Sequence, residues 1–286
     1  MERRPAPAED LLGDGDYFVG ERTFPAVYVS PPDGPAALRC NLQLLRGIGP
    51  KTEEKLKGQG YHDLDSLAQH ARWGEGACSL LSAIDRCDAE LLMRCGAPDL
   101  HLLGFYPATS IAFIDIETTG LHSAQPLFLV GIMGPRDGAM VLRQFLARSY
   151  EEEAAVLAAA RDELERFGVI ATYNGRRFDL PYIRDRMAYH GIAWGPCGLH
   201  VDLLRTTRRL FRGVLPDCRL VTVAEHLLGY ERHGDIPSAM IPEVYHEFVR
   251  TRNPVLIRPI LQHNAMDLHA LALILESLLD TAAGGR

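Results

Sequence analysis

The sequence predicts an α/β protein in which helices flank a mixed sheet and a small helical domain comes first. Three stretches predict it. Residues 110–121, SIAFIDIETTGL, form an apolar run that carries two acids near its end and stops at a glycine, the pattern of a buried strand leading into a turn. Downstream, apolar runs and one amphipathic stretch follow in the order strand, strand, helix, strand. Upstream, residues 41–100 are patterned as short helices broken by a glycine hinge. The expected divisions are a Pro/Gly-rich extension over 1–40, a helical domain over 41–100 and the α/β domain over 107–283.

Composition narrows the function classes. With 286 residues, 47% apolar and 23% charged, the chain suits an ordinary globular protein with one large domain and a small appendage. No run is long enough to span a bilayer, and MERRPAPAED lacks the apolar stretch of a secretory signal, so a cytoplasmic address and no membrane partner are expected. Six cysteines without a CxxC pair are expected to be reduced there. A net charge of -7 argues against coating nucleic acid through bulk electrostatics but leaves room for local basic surfaces. One such surplus runs from Thr172 to Arg219, with nine arginines against four aspartates.

Residues 1–40 interrupt one possible strand, Tyr17 to Phe24, with PAPAED, GDGD and SPPDGPAA, and read as loosely structured. In NLQLLRGIGPKTEEKLKG, a short helix ends at Gly47, Gly47-Ile48-Gly49 turns tightly, and a second helix starts near Pro50. Free amides at a helix start attract phosphate, and Lys51, Lys55 and Lys57, the only lysines of the chain, lie on or beside this helix. The segment resembles a helix-hairpin-helix motif, which implies that Gly47, Gly49 and Lys51 hold a DNA backbone; glycine-hinged helix pairs also serve as plain packing units.

In the opening strand of the sheet, Asp115 and Glu117 are two residues apart and share one face. Buried carboxylates need a cation, the segment has no Lys or Arg, and Mg²⁺ suits oxygen donors; acids facing water at a strand end is the plain alternative. Leu127 to Gly134 and Met140 to Phe145 read as a hairpin, Tyr150 to Phe167 as a helix whose acidic start complements its dipole, and Val169 to Tyr173 as a strand. This order fits a sheet of the ribonuclease H type. Asn174 and Gly175 then turn the chain, and Asp179 opens a helix, where it reads as an N-cap or a ligand. Beyond HVDLL, Arg205, Arg208, Arg209 and Arg212 share one helical face, a solvated surface unless it borders the acids. Thr222 and Glu225 have capping-box spacing. In the final amphipathic helix, His263 and Asp267 are four apart and on one face.

Three motifs, DIETTGL at 115, YNGRRFDLPY at 173 and HNAMD at 263, stand in the order of the DEDD exonuclease superfamily, which the sequence resembles. With RRLFRGVLPDCRL and GDIPSAMIP, the resemblance extends to the YprB-like group of ribonuclease H-fold proteins and covers about residues 107–280. It implies that Asp115, Glu117, Asp179 and Asp267 bind two divalent cations, Mg²⁺ or Mn²⁺, with Asp115 touching both. It further implies a nucleotide pocket at Thr118, Thr119, Gly120 and Leu121, with Asn174 and Phe178 from the second motif. With the acids gathered there, the arginine-rich helix is expected to supply phosphate contacts through Arg208, Arg209 and Arg212. His263 departs from the family pattern: it stands in the slot of a tyrosine four residues before the last aspartate. There it orients or deprotonates the attacking water, or packs beside the site. The expected activity is a 3′–5′ exonuclease hydrolysing DNA, or else RNA, by a two-metal mechanism. The alternatives are a structure-selective endonuclease, an RNA-trimming enzyme, or an inactive nucleic-acid-binding adaptor.

Overall fold

Helix signals in the first hundred residues mature into six short helices. They are α1 (Gly34–Arg39), α2 (Pro50–Gly58), α3 (Leu64–Leu67), α4 (Gly74–Asp85), α5 (Ala89–Arg94) and α6 (Asp99–Leu102). The structure is a computed structural model that describes residues 15–27, 33–195, 198–230, 232 and 234–284; the PAPAED run and Cys197 lie outside the described residues. Aspartates cap three of these helices: Asp33, Asp63 and Asp88 each accept a backbone N–H of the first turn. Contacts divide the chain into one unit of Met1–Val29 with Thr109–Leu278 and another of Ser30–Ala108 with Leu279–Arg286. The expected extension is therefore split between two units, because its alternating residues around 18–24 pair into a sheet while Gly34-Pro35 opens a helix.

The glycine hinge differs from its expected form. Ahead of it stands a single 3₁₀ turn, Leu42–Leu44, rather than a helix, since Asn41 caps Gln43 and the chain is already extended at Leu45. Gly47 has φ 93°, Ile48 is buried, and Gly49 precedes Pro50 at the start of α2. Lys51 and Lys55 are exposed, whereas Lys57 pairs with Glu53 at 2.9 Å.

In the other unit six strands make one sheet: β1 (Phe18–Phe24), β2 (Ile111–Thr118), β3 (Leu127–Arg136), β4 (Ala139–Leu146), β5 (Val169–Thr172) and β6 (Leu199–Asp202). Their order is β1-β4-β3-β2-β5-β6. The first four are antiparallel to their neighbours, while β5 and β6 run parallel to β2, so the carboxyl ends of three strands share one edge. Asp137 and Gly138, both at positive φ, close the β3–β4 hairpin. Strand β6 was not expected: four residues are too few to display a period, and HVD reads equally well as a helix approach.

Six more helices follow: α7 (Glu153–Leu164), α8 (Asp179–Tyr189), α9 (Leu203–Phe211), α10 (Leu220–Leu228), α11 (Ile241–Thr251) and α12 (Pro254–Gly284), which belongs to this unit up to Leu278. The core joins β2, β3 and β4 to α7, α8, α11 and the first turns of α12; in it Phe128 stacks on Tyr245 at 3.7 Å between ring centroids. Glu153, expected to serve the helix dipole, is buried instead and accepts from Leu127 N–H, Arg186 and His190. Two end assignments also change. Helix α10 starts two residues before Thr222, so Thr222 and Glu225 form no capping box. Arg212 has left α9 with extended backbone and only Arg205, Arg208 and Arg209 keep the helical face.

Candidate active site

Strand β2 is buried on both faces until Asp115, after which its acids reach partly into solvent. A register shift between Glu117 and Thr118 interrupts its pairing with β3, and such bulges re-aim side chains. Opposite Asp115 lies Gly131, and this glycine lets α12 come down on the sheet: a Cβ there would stand 2.2 Å from Asn264 Oδ1 and 2.6 Å from Leu268 Cδ1. The close approach brings Asn264 Nδ2 to Asp115 Oδ2 at 2.8 Å, and the amide is itself oriented by Gln144 Nε2, which donates to Asn264 Oδ1 at 2.9 Å. Asn264 and Gln144 are both buried, so the orientation of Asp115 is set from inside the core.

The four expected acids act on one another. Burial pushes the Asp115 carboxyl well above its ordinary value, and the charges of Asp267, Glu117 and Asp179 push it further, against the opposing hydrogen bond from Asn264. Glu117 is raised well above its ordinary value by burial and then by Asp267, Asp179 and Asp235. Asp179 is raised to about 7, chiefly by burial, while backbone hydrogen bonds at Asp179 itself and at Ile116 of β2 pull it down. Asp179 thus sits inside the first turn of α8 and turns its carboxyl to the sheet; the cap position belongs to Phe178 and carries no side-chain cap.

Asp267 faces a cation that the sequence reading missed. Arg232 is ion-paired with Asp267, and its other terminal nitrogen lies 3.2 Å from Asp235 Oδ2. Asp235 also meets His263 Nδ1 at 2.7 Å, while His263 Nε2 is 3.4 Å from both Asp267 Oδ2 and Ser238 Oγ. Asp235 accepts from Nδ1–H, which leaves Nε2 facing the acid cluster.

The donor set suits a divalent cation. It consists of carboxylate oxygens raised by burial and by mutual repulsion, with Asp267 Oδ1 ion-paired to Arg232. Yet among the described residues no three His, Cys, Asp or Glu side chains are gathered to hold an ion as they stand. The guanidinium beside Asp267 accounts for this physically, because it supplies a positive charge at the carboxylate that closing the cage would need.

The other expected residues are spread around this cluster. Thr118 donates to Gly120 O at 2.7 Å, Thr119 pairs with Pro126, and Tyr182 closes the turn by donating to Gly120 O and Gln125 O. Leu121 projects from that turn with 82% of its surface exposed. Asn174 stands at φ 70°, held there by Asp202, whose carboxylate accepts the N–H groups of Asn174, Arg176 and Leu204. Phe178 packs on Tyr182. Arg208, Arg209 and Arg212 line a cavity together with Asn174 and Asp202. Gly47, Gly49 and Lys51 belong to the other unit. Of the residues missed, Asp202 and Asn264 adjoin quoted motifs, and a buried polar residue beside a motif is a usable signal. Asp235 lies inside the quoted GDIPSAMIP run, and Arg232 two residues ahead of that run has no local mark.

Comparisons with known proteins agree with this architecture. Residues 112–279 match the RNase H superfamily. The chain belongs to that superfamily. It is 30% identical over 170 residues to a Bacillus subtilis (strain 168) protein described as uncharacterized protein YprB, covering 58% of this chain and 41% of that one. The chain therefore spans less than half the length of this relative. A family B DNA polymerase from the archaeon Pyrobaculum calidifontis aligns with a TM-score of 0.49 and 20% identity over 60% of this chain and 25% of its own. Among the described residues no helix is long and apolar enough to cross a membrane.

Proposed function

We propose that this RNase H superfamily chain is a metal-dependent 3′–5′ exonuclease that hydrolyses DNA. The observation that carries the reading is the set of four acids, Asp115, Glu117, Asp179 and Asp267, which come from β2, α8 and α12 and act on one another electrostatically. These four would hold two Mg²⁺ or Mn²⁺ ions, with Asp115 shared. Bound divalent cations supply the charge that activates water and stabilises the leaving oxygen of a phosphodiester.

The remaining work falls to the chain itself. Asn264 and Gln144 keep Asp115 in one orientation. The Thr118–Leu121 turn offers its exposed leucine to the terminal nucleotide, flanked by Asn174 and Phe178. His263, held through Nδ1 by Asp235, orients the attacking water or takes its proton at Nε2. In the helical unit, Gly47, Gly49 and Lys51 grip the DNA backbone without reading sequence.

The Arg232–Asp267 ion pair favours a second reading, an adaptor that binds nucleic acid with its acidic cluster closed. One experiment separates the two. End-labelled single-stranded and duplex DNA and RNA are incubated with Mg²⁺ or Mn²⁺, beside an Asp115→Ala control. A ladder shortening from the 3′ end of DNA, abolished by Asp115→Ala, is the expected result. Products of internal cuts or a preference for RNA select the endonuclease or the trimming enzyme, and intact substrates under every condition select the adaptor.

A further inference from the structure

At the carboxyl ends of β5 and β6 lies a cavity of about 400 Å³ whose wall carries six arginines: Arg176, Arg177, Arg205, Arg208, Arg209 and Arg212. Its charge is not balanced from within. Among the described residues, Arg177, Arg205, Arg208, Arg209 and Arg212 form no ion pair with a carboxylate, whereas many arginines elsewhere do, among them Arg39, Arg143, Arg148, Arg161, Arg186 and Arg250. The one acid in the wall, Asp202, already receives three backbone N–H groups. The five guanidinium groups without a carboxylate partner among the described residues repel each other around one cavity, which favours an anion from outside.

The spacing describes that anion. Arg205, Arg208 and Arg209 occupy one exposed face of α9, and four residues of helix separate charges by about 6 Å along the axis. Charges strung along a line suit successive phosphates of a strand better than one phosphate, and guanidinium forks match phosphate oxygens. Position supplies the rest: Arg176 and Arg177 stand on the β5–α8 turn, three and two residues before Asp179, so cavity and acids flank the same turn.

We infer that this arginine-lined cavity binds phosphodiester groups of the single strand leading away from the bond that the acids cut. The inference rests on the nuclease reading for its direction, which places the bound phosphates on the 5′ side of the terminal nucleotide. It makes the site length-dependent, since only a strand that crosses the β5–α8 turn engages the arginines.

The test is equilibrium binding of labelled oligonucleotides of increasing length by fluorescence anisotropy. It uses the full chain in EDTA, wild type against the combined Arg205→Gln, Arg208→Gln and Arg209→Gln variant, with circular dichroism to check folding. Wild-type affinity is expected to rise with length and fall steeply with salt. In the variant the length gain drops at least tenfold, and the slope of log K against log[salt] falls by about 2, from about 0.7 per single-strand phosphate released. A folded variant with unchanged slope and length gain overturns the inference. So does inorganic phosphate or a mononucleotide that displaces the oligonucleotide at its own concentration, because that describes a single-anion site. If the variant will not fold, the combined Arg208→Lys and Arg209→Lys variant, which keeps the charge, must hold the slope while losing affinity; a slope lost with it counts against the inference. Because cleavage is not read, loss of the nuclease reading leaves a separate mark: length-dependent binding persists while the end-labelled substrates stay intact.

Discussion

Replacing Asp179 by asparagine should make the metal-free protein more stable at neutral pH, and less so as the pH falls. The Asp179 carboxyl, ordinarily at 3.8, is raised to about 7 in the fold, mainly by burial. A raised carboxyl binds its proton more tightly folded than unfolded, so its contribution is fully present below about pH 4 and is lost as the pH climbs through about 7. At about 1.4 kcal/mol for each pH unit between the two values, the loss amounts to about 4 kcal/mol by pH 8. For a chain of this size that corresponds to roughly 10 °C in melting temperature. The assay is thermal or urea unfolding of wild type and Asp179→Asn in EDTA from pH 4.5 to 8.5. Groups away from the cluster cancel in the difference, whereas Asp115 and Glu117, relieved of the Asp179 charge in the variant, move it in the same direction. That difference should grow with pH in favour of the variant, then shrink when Mg²⁺ or Mn²⁺ is added, since a ligand at 100 times its Kd restores about 2.7 kcal/mol to the protein that binds it. A difference that stays flat across this range refutes the argument that Asp179 is held as an uncompensated acid.

Two further outcomes bear on the cluster. His263→Ala should lower turnover by about 10²-fold or more, the usual worth of a positioned base, while calorimetric Mn²⁺ affinity changes little; equal losses in both would leave His263 a packing residue. Arg232→Gln removes the cation paired with Asp267 and should tighten Mn²⁺ binding severalfold in the same titration; weaker binding would mean that Arg232 supports the site rather than competing for it.

The acids were legible because each breaks a local pattern: two carboxylates in an apolar strand, one at a turn, one in an apolar helix. Their supports were not. Asn264 serves Asp115 across 149 residues of sequence, and nothing near either residue announces the partnership before the glycine at 131 lets the helix close in. The same holds for Asp202, whose carboxylate sits in the wall of the turn ahead of Asp179 only because β6 pairs beside β5. Elements misread from sequence share a cause. The four residues of β6 are too few to show alternation, and the start of α10 is set two residues earlier than the Thr222 spacing implies. Glu153 looked like a dipole partner because its charge was visible while its burial against Arg186 and His190 was not.

The reach from Asp115 to Asn264 also bears on when the acidic cluster is completed during synthesis. A chain emerging in order carries β2 and Glu117 long before α12 exists, and until that helix seats on Gly131 the first acid has no oriented carboxylate and the last acid is missing. On the proposed nuclease reading, the capacity to cleave would therefore arrive only with α12, and a chain truncated before it would be inactive however well its first strands had formed.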